Sequence, residues 1–287
     1  MLKVRFWGVR GSIPTPGPST VEFGGNTSCV EVEAGSHRII FDAGTGVRLL
    51  GKKLAACMPC EIHLFFSHVH WDHIQGFPFF IPAFVRGNLI HMYGMKSTVG
   101  TLEASLSGQM EFPNFPVRLR ELPAELRFRN LGEGEIVELP GGVRISNTAG
   151  NHPGGVLCYR VDHEGHSVVY ATDTEHLGPD PDPKLVALCQ DADVVIYDSM
   201  YTPEEYEGQK GPPKIGWGHS HFLAGAALLK ASGAKFYVLF HHDPDQDDQA
   251  VREKERRARL LFPQSVCAYE GMEIVVSSSI QITASTS

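Results

Sequence analysis

Residues 61–73 read Glu61-Ile62-His63-Leu64-Phe65-Phe66-Ser67-His68-Val69-His70-Trp71-Asp72-His73. The first half is an apolar run of strand length. The second half places four nitrogen or oxygen donors, His68, His70, Asp72 and His73, within seven residues. A buried strand ending on such a packet delivers its donors on the loop and first helical turn beyond it, aimed by the sheet behind them. Imidazole nitrogen and carboxylate oxygen are ligands for zinc and its neighbours, and catalytic sites keep one coordination position open for water. In an extended or turning segment His68 and His70 share one direction while Asp72 and His73 come round on another, so two adjacent metals can be served.

The His-x-His-x-Asp-His string resembles the signature of the metallo-beta-lactamase fold superfamily, whose members bind one or two metals between two β-sheets. Further matches follow in order: Asn151-His152-Pro153, then Ala171-Thr172-Asp173-Thr174 after an apolar run, then Phe240-His241-His242-Asp243 after another. The resemblance covers nearly the whole chain. It implies an α/β (α+β) fold, a four-layer αββα sandwich of the metallo-beta-lactamase type. It also implies two divalent metal ions, zinc first, with manganese or iron admitted by the same ligands. His68, His70 and His152 would hold one ion, Asp72, His73 and His241 the other, with Asp173 bridging. The chemistry agrees, since a carboxylate has two oxygens to share and three neutral imidazoles leave the first ion an open place.

The segments Phe6 to Pro16, Gly25-Asn26-Thr27-Ser28-Cys29 and Phe41-Asp42-Ala43-Gly44-Thr45-Gly46 resemble the phosphodiesterase branch of that superfamily. That branch includes ribonuclease Z, the cyclic phosphodiesterase of phosphonate breakdown and class II cyclic nucleotide phosphodiesterases. Ile196-Tyr197-Asp198-Ser199 and Gly218-His219-Ser220-His221 resemble two motifs of ribonuclease Z, with Asp198 where that family usually has Glu and His221 where it has Thr. The resemblance implies a hydrolase that cleaves a small cyclic nucleotide or related cyclic phosphodiester with a dinuclear-metal-bound hydroxide. Asp72 would orient the nucleophile and accept its proton, and His219 would serve the phosphoryl group or leaving oxygen, its tautomer fixed by Asp198. The alternatives are a lactone, ester or thioester hydrolase on the same metals, and a non-catalytic metal-dependent sensor. Asp42, before the Gly44-x-Gly46 turn, reads as a structural cap beneath the site.

The chain has 287 residues, 42% of them hydrophobic, and a net charge of -8. Donors running from His68 to His241 must converge, which predicts one domain over residues 1–276, with 277–287 finishing a last strand and continuing as a polar tail. The negative charge weakens sequence-independent attraction to long nucleic acid. Only residues 153–172 separate His152 from Asp173, too few for the protruding arm with which ribonuclease Z grips transfer RNA. The expected partner is therefore a small-molecule phosphodiester, with no long nucleic acid and no membrane; a homodimer is suggested by the resemblance alone. Six cysteines without a secreted framework, and no leader-like amino end, predict a cytoplasmic protein.

Strands are expected over Lys3 to Trp7, Ser28 to Glu33, Arg38 to Phe41, Glu61 to Phe66, Val143 to Thr148, Val156 to Asp162, Ser167 to Ala171, Asp193 to Tyr197 and Lys235 to Phe240. Helices are expected over Ile74 to Phe80, Lys96 to Glu103, Leu185 to Gln190, His221 to Ser232 and Asp247 to Phe262. Two further expectations concern the substrate. Residues 203–218 form a long loop with aromatic side chains, placed to act as a lid, and Phe77 to Phe84 form an apolar lip. Arg118, Arg120, Arg127 and Arg129 read as the solvent face of a strand rather than a basic patch.

Overall fold

The computed structural model describes residues 1–95 and 100–284. Its strands are β1 (Leu2–Gly8), β2 (Cys29–Ala34), β3 (His37–Phe41), β4 (Glu61–Phe65), β5 (Leu89–Met95), β6 (Glu125–Leu131), β7 (Val137–Leu139), β8 (Val143–Gly150), β9 (Val156–His163), β10 (His166–Ala171), β11 (Val194–Asp198), β12 (Phe236–Phe240), β13 (Ser265–Cys267), β14 (Met272–Val276) and β15 (Ile280–Ala284). The helices are α1 (Val47–Leu54), α2 (Trp71–Ile74), α3 (Leu102–Gln109), α4 (Pro183–Leu188), α5 (Pro203–Tyr206), α6 (Phe222–Ser232) and α7 (Asp248–Leu261).

Two sheets form, one ordered β15-β14-β1-β2-β3-β4-β5-β6 and the other β13-β12-β11-β10-β9-β8-β7. Each contains a parallel block, β3 to β6 in the first and β10 to β13 in the second. Phe6, Phe41, Phe65, Tyr159, Tyr170, Phe240 and Ile274 fill the space between the sheets. Val47, Leu50 and Leu54 of α1 and Leu106 of α3 cover the outer face of the first sheet, and Leu185, Leu229, Val251 and Ala258 from α4, α6 and α7 cover the second. These are the four layers of the αββα sandwich. They explain why β12 reads as an unbroken apolar run, since a parallel strand covered on both faces has no solvent side to mark with polar residues.

The periodicity reading omits β5, β7, β13, α1 and α5, and differs from the structure in three further places. The expected helix over Ile74 to Phe80 stops at Ile74 and is followed by a separate 3-10 turn, Phe77–Phe79. Gly76, pressed against the Gly44 carbonyl, and Pro78 end the regular turns. Phe77 and Phe80 are consequently buried beneath α1 instead of forming a lip, with only Phe79 and Phe84 exposed. Of the helix expected over 96–103, residues 96–99 lie outside those described, and α3 begins later, capped by Thr101, whose side chain accepts from the Ala104 amide. Past Val276, where the end of a last strand and then a polar tail were expected, the chain turns into a separate strand: β15 pairs antiparallel with β14 and packs Ile280 on the intersheet core. The β-branched residues Ile280, Ile282 and Thr283 suit such an edge position. No helix of the described residues is long and apolar enough to cross a membrane.

Candidate metal centre

The donors lie along one rim, beyond the C-terminal ends of strands from both sheets. Asp42 follows β3, Ser67 and His68 follow β4, His152 follows β8, Asp173 follows β10, Asp198 ends β11, and His241 follows β12. Such rims are where open α/β sheets place ligands, because each strand hands its last side chains to the crevice between connections. Asp42, Asp173 and His241 turn sharply there, with φ of 61°, 52° and 62°. Left-handed backbone at non-glycine residues costs about 1–3 kcal/mol each. Its retention at three rim positions points to constraint by the surrounding contacts.

The inner cluster comprises Asp72, His73, Asp173 and His241, all buried. Nε2 of His73 is 3.2 Å from Asp72 Oδ2, 3.3 Å from Asp173 Oδ1 and 3.3 Å from Nε2 of His241. His241 Nε2 is in turn 3.1 Å from Asp72 Oδ2 and 3.3 Å from Asp173 Oδ1. His73 Nδ1 donates to Asp42 Oδ2 at 2.7 Å, so in the neutral ring Nε2 bears a lone pair. The convergent atoms are thus acceptors, which repel one another unless a proton or cation lies among them. Ligand atoms about 2.0–2.1 Å from one tetrahedral ion stand roughly 3.3 Å apart, so the set fits a divalent metal. With protons alone, burial opposes a charge on His73, but Asp173, Asp72 and Asp42 outweigh it and raise its pKa well above the ordinary value.

The outer cluster comprises His68, His70 and His152. His152 Nε2 is 3.0 Å from His70 Nδ1. His68 Nε2 is buried without a hydrogen-bond partner and lies 3.7 Å from Asp173 Oδ2, with His152 Nε2 3.9 Å from the same oxygen. The two Asp173 oxygens therefore face different clusters. Burial, reinforced by His73, holds the pKa of His68 well below the ordinary imidazole value, keeping its ring neutral as a metal ligand must be.

His219 and Asp198 complete the convergence. The His219 Nδ1–H donates to Asp198 Oδ2 at 2.8 Å, and the ring stacks on His241 with centroids 4.9 Å apart. Burial alone would discharge His219, but Asp198 overrides it and its pKa rises to about 9. Asp198 Oδ1 accepts from the amides of Met200 and Ser220, each at 3.1 Å, which fixes the carboxylate. All nine residues singled out from the sequence thus occupy one region.

Several supporting residues escaped that reading. Asp42 caps the Ser67 amide at 2.7 Å, as expected, but its other oxygen also accepts from His73 Nδ1 and from the Tyr170 hydroxyl at 2.7 Å. It therefore sets the His73 tautomer. The Ser12 amide donates to Asp72 Oδ2 at 2.7 Å, and a Cβ on neighbouring Gly11 would meet the His241 ring at 2.4 Å. Glu175 accepts from the Tyr206 hydroxyl and from the amides of Gly216 and Gly218. It ties down the loop expected to be a lid. Gly218 in turn accepts from His152 Nδ1 at 2.8 Å. Tyr201 and Tyr206 are buried, leaving Trp217 as the exposed aromatic, with Lys214 Nζ 4.2 Å from its ring centre.

His242 is a packing residue, fully buried against Phe23 and bonded to the Ala268 carbonyl. His221 caps α6 through Nδ1. Of the histidines read as incidental, His63 is buried and stacked on His91, and His176 packs against Tyr206 and His221 near the centre. Arg127 and Arg129 lie on β6 and pair with Glu125 and Glu135, while Arg118 pairs with Glu111.

Residues 37–242 match the family model described as the beta-lactamase superfamily domain. A ribonuclease Z from Methanosarcina mazei is 27% identical, with 96% of this chain and 98% of that protein covered. Among solved structures, a diphosphatase from the PhnP family superposes with a TM-score of 0.68 at 16% identity, covering 98% of this chain and 100% of that one. The short form of human tRNase Z superposes with a TM-score of 0.63 at 19% identity, covering 96% and 99%. At these identities the two structures establish the shared fold.

Proposed function

This chain belongs to the beta-lactamase superfamily, in its phosphodiesterase branch, and on that premise we propose that it hydrolyses a small cyclic nucleotide or a related cyclic phosphodiester. The observation that carries the reading is the placement of Asp173 between two donor clusters, with a carboxylate-bound imidazole, His219, beside it. His68, His70 and His152 would hold one divalent ion, Asp72, His73 and His241 the other, with Asp173 reaching both and zinc the first choice of metal. When bound, two such ions lower the pKa of a water and neutralise phosphoryl oxygens. Asp72, steadied by the Ser12 amide, accepts the proton of the attacking water. His219, with Nδ1 committed to Asp198, presents Nε2 to the phosphoryl group or departing oxygen. A pKa of about 9 keeps a proton available on it at neutral pH.

A small substrate is favoured because residues 153–172 are consumed by the turn into β9 and the β9–β10 hairpin, leaving no arm. Three of the four arginines that would make a basic patch, Arg118, Arg127 and Arg129, are paired with glutamates. The rival reading is an RNA nuclease, favoured by relatives that bear the name ribonuclease Z. Both make the chain a phosphodiesterase. The deciding experiment is turnover of bis(para-nitrophenyl) phosphate by metal-quantified protein, with His68→Ala and a lactone beside it, followed by a panel of cyclic nucleotides and a precursor transfer RNA. Cleavage of the diester, lost in His68→Ala, with a cyclic nucleotide preferred, is the expected result. Preference for the RNA would transfer the substrate assignment, and turnover of the lactone alone would overturn the phosphodiesterase reading.

A further inference from the structure

Beside the outer cluster lies a cleft of about 850 Å³, lined on the metal side by Asn151, His152 and Pro153. This is within the roughly 300–1,000 Å³ of ordinary ligand pockets. Leu177, Ile215 and Leu223, 75%, 65% and 40% exposed, line the same space. Scattered exposed apolar residues are ordinary, whereas their convergence on one concavity marks a binding surface. The rings of His176, Tyr206 and His221 also line it, packed on one another with centroids 4.3–5.3 Å apart.

The charges restrict what fits. Among the described residues the cleft lining contains no lysine or arginine; of its two carboxylates, Glu175 is committed to the Tyr206 hydroxyl and the Gly216 and Gly218 amides, and Glu207 accepts from the Gln209 side-chain amide. The Glu175 bonds hold the Ile215 side of the cleft in place, so the shape exists before any ligand arrives. His152 belongs to both the cleft and the outer cluster, so a group seated here would carry its phosphate ester to the metals.

We propose that this cleft seats an uncharged planar ring, a nucleobase or another aryl group, on one ester arm of the phosphodiester. The inference rests on the phosphodiesterase reading and adds the chemistry of the recognised arm. A second phosphate is disfavoured in a lining without cations, and an apolar wall of this kind rewards flat, weakly hydrated surface.

The test compares three esters with the same leaving group: methyl para-nitrophenyl phosphate, phenyl para-nitrophenyl phosphate and thymidine 5′-(para-nitrophenyl phosphate). KM and kcat are measured for the metal-loaded wild type, Leu177→Asp and Ile215→Asp, with sedimentation of each. The wild type is expected to show a KM about tenfold lower for a ring-bearing ester than for the methyl ester. Both variants should lose most of that preference through KM. Preference for the thymidine over the phenyl ester identifies a nucleobase, and the reverse another aryl group. Turnover of all three without preference leaves the phosphodiesterase reading standing and overturns the cleft assignment. So does a preference that survives in both variants, including the case in which they change only the oligomeric state. Absence of turnover with both metals bound overturns the phosphodiesterase reading and this inference with it.

Discussion

Asp72, His73, Asp173 and His241 are buried together, whereas on the other side of Asp173 His70 stands exposed and His68 Nε2 has no hydrogen-bond partner. The inner cluster is braced from outside as well. Asp42 holds His73, the Ser12 amide holds Asp72, and the Thr172 hydroxyl donates to Asp173 Oδ1 at 2.5 Å. The outer cluster has fewer supports, chiefly the Gly218 carbonyl on His152 and the Ser67 hydroxyl 3.1 Å from His68 Nδ1. Surrounding groups that fix a ligand's tautomer and direction tighten metal binding. On the proposed ligand sets, the difference separates a position built for retention from one built for access, joined by a single carboxylate.

That contrast is broken most severely at the junction. Asp173→Ala should reduce both metal contents and lower turnover on the order of 10³-fold or more, checked by elemental analysis beside kinetics. Retention of both ions with near-normal turnover would mean the clusters do not depend on this carboxylate. Next in size, His219→Ala should lower kcat about 10²–10⁴-fold with both metals retained, since in the proposed mechanism His219 is a proton source beside the donors. In the proposed mechanism the protonated ring is the working form, so activity is expected to fall as pH rises through its pKa. Asp198→Asn removes the group that raises that pKa and should move the alkaline limb of the pH–rate profile to lower pH. An unmoved limb would assign it to another group.

Asp42→Asn sharpens the comparison, because Asp42 holds the inner cluster directly through His73 and reaches the outer one only through the Ser67 hydroxyl. Metal affinity there should weaken about 10–100-fold, while outer occupancy, measured in the same chelator titration, changes little. Equal loss from both positions would erase the distinction. The smallest effect is expected from Glu175→Gln, which weakens the charge-assisted bonds to Gly216 and Gly218. Loosening of the loop behind His152 should raise KM a few-fold with inner metal content intact.

How much of this was legible in advance depended on sequence distance. His68, His70, Asp72 and His73 occupy one short string whose spacing carries the chemistry on its face. His152, Asp173 and His241 are individually unremarked polar residues after apolar runs, and only their ordered resemblance to a known pattern picked them out. Asp42 and Tyr170 meet through folding across 128 positions, and no local pattern predicts that they share a hydrogen bond with consequences for His73. Phe77 to Phe84 misled for a related reason, since apolar residues in a short run do not say which of them face inward. The loop at 203–218 was recognisable from its prolines and glycines, but its anchor, Glu175, belongs to another part of the chain.

The donors also have an order of birth. The string after β4 leaves the ribosome early, the Asp173 turn later, and His241 only once β12 has been made. A growing chain therefore displays four avid side chains long before the second sheet can enclose them. The inner position is the last part of the centre to become complete, and a product terminated before β12 lacks the imidazole that closes it.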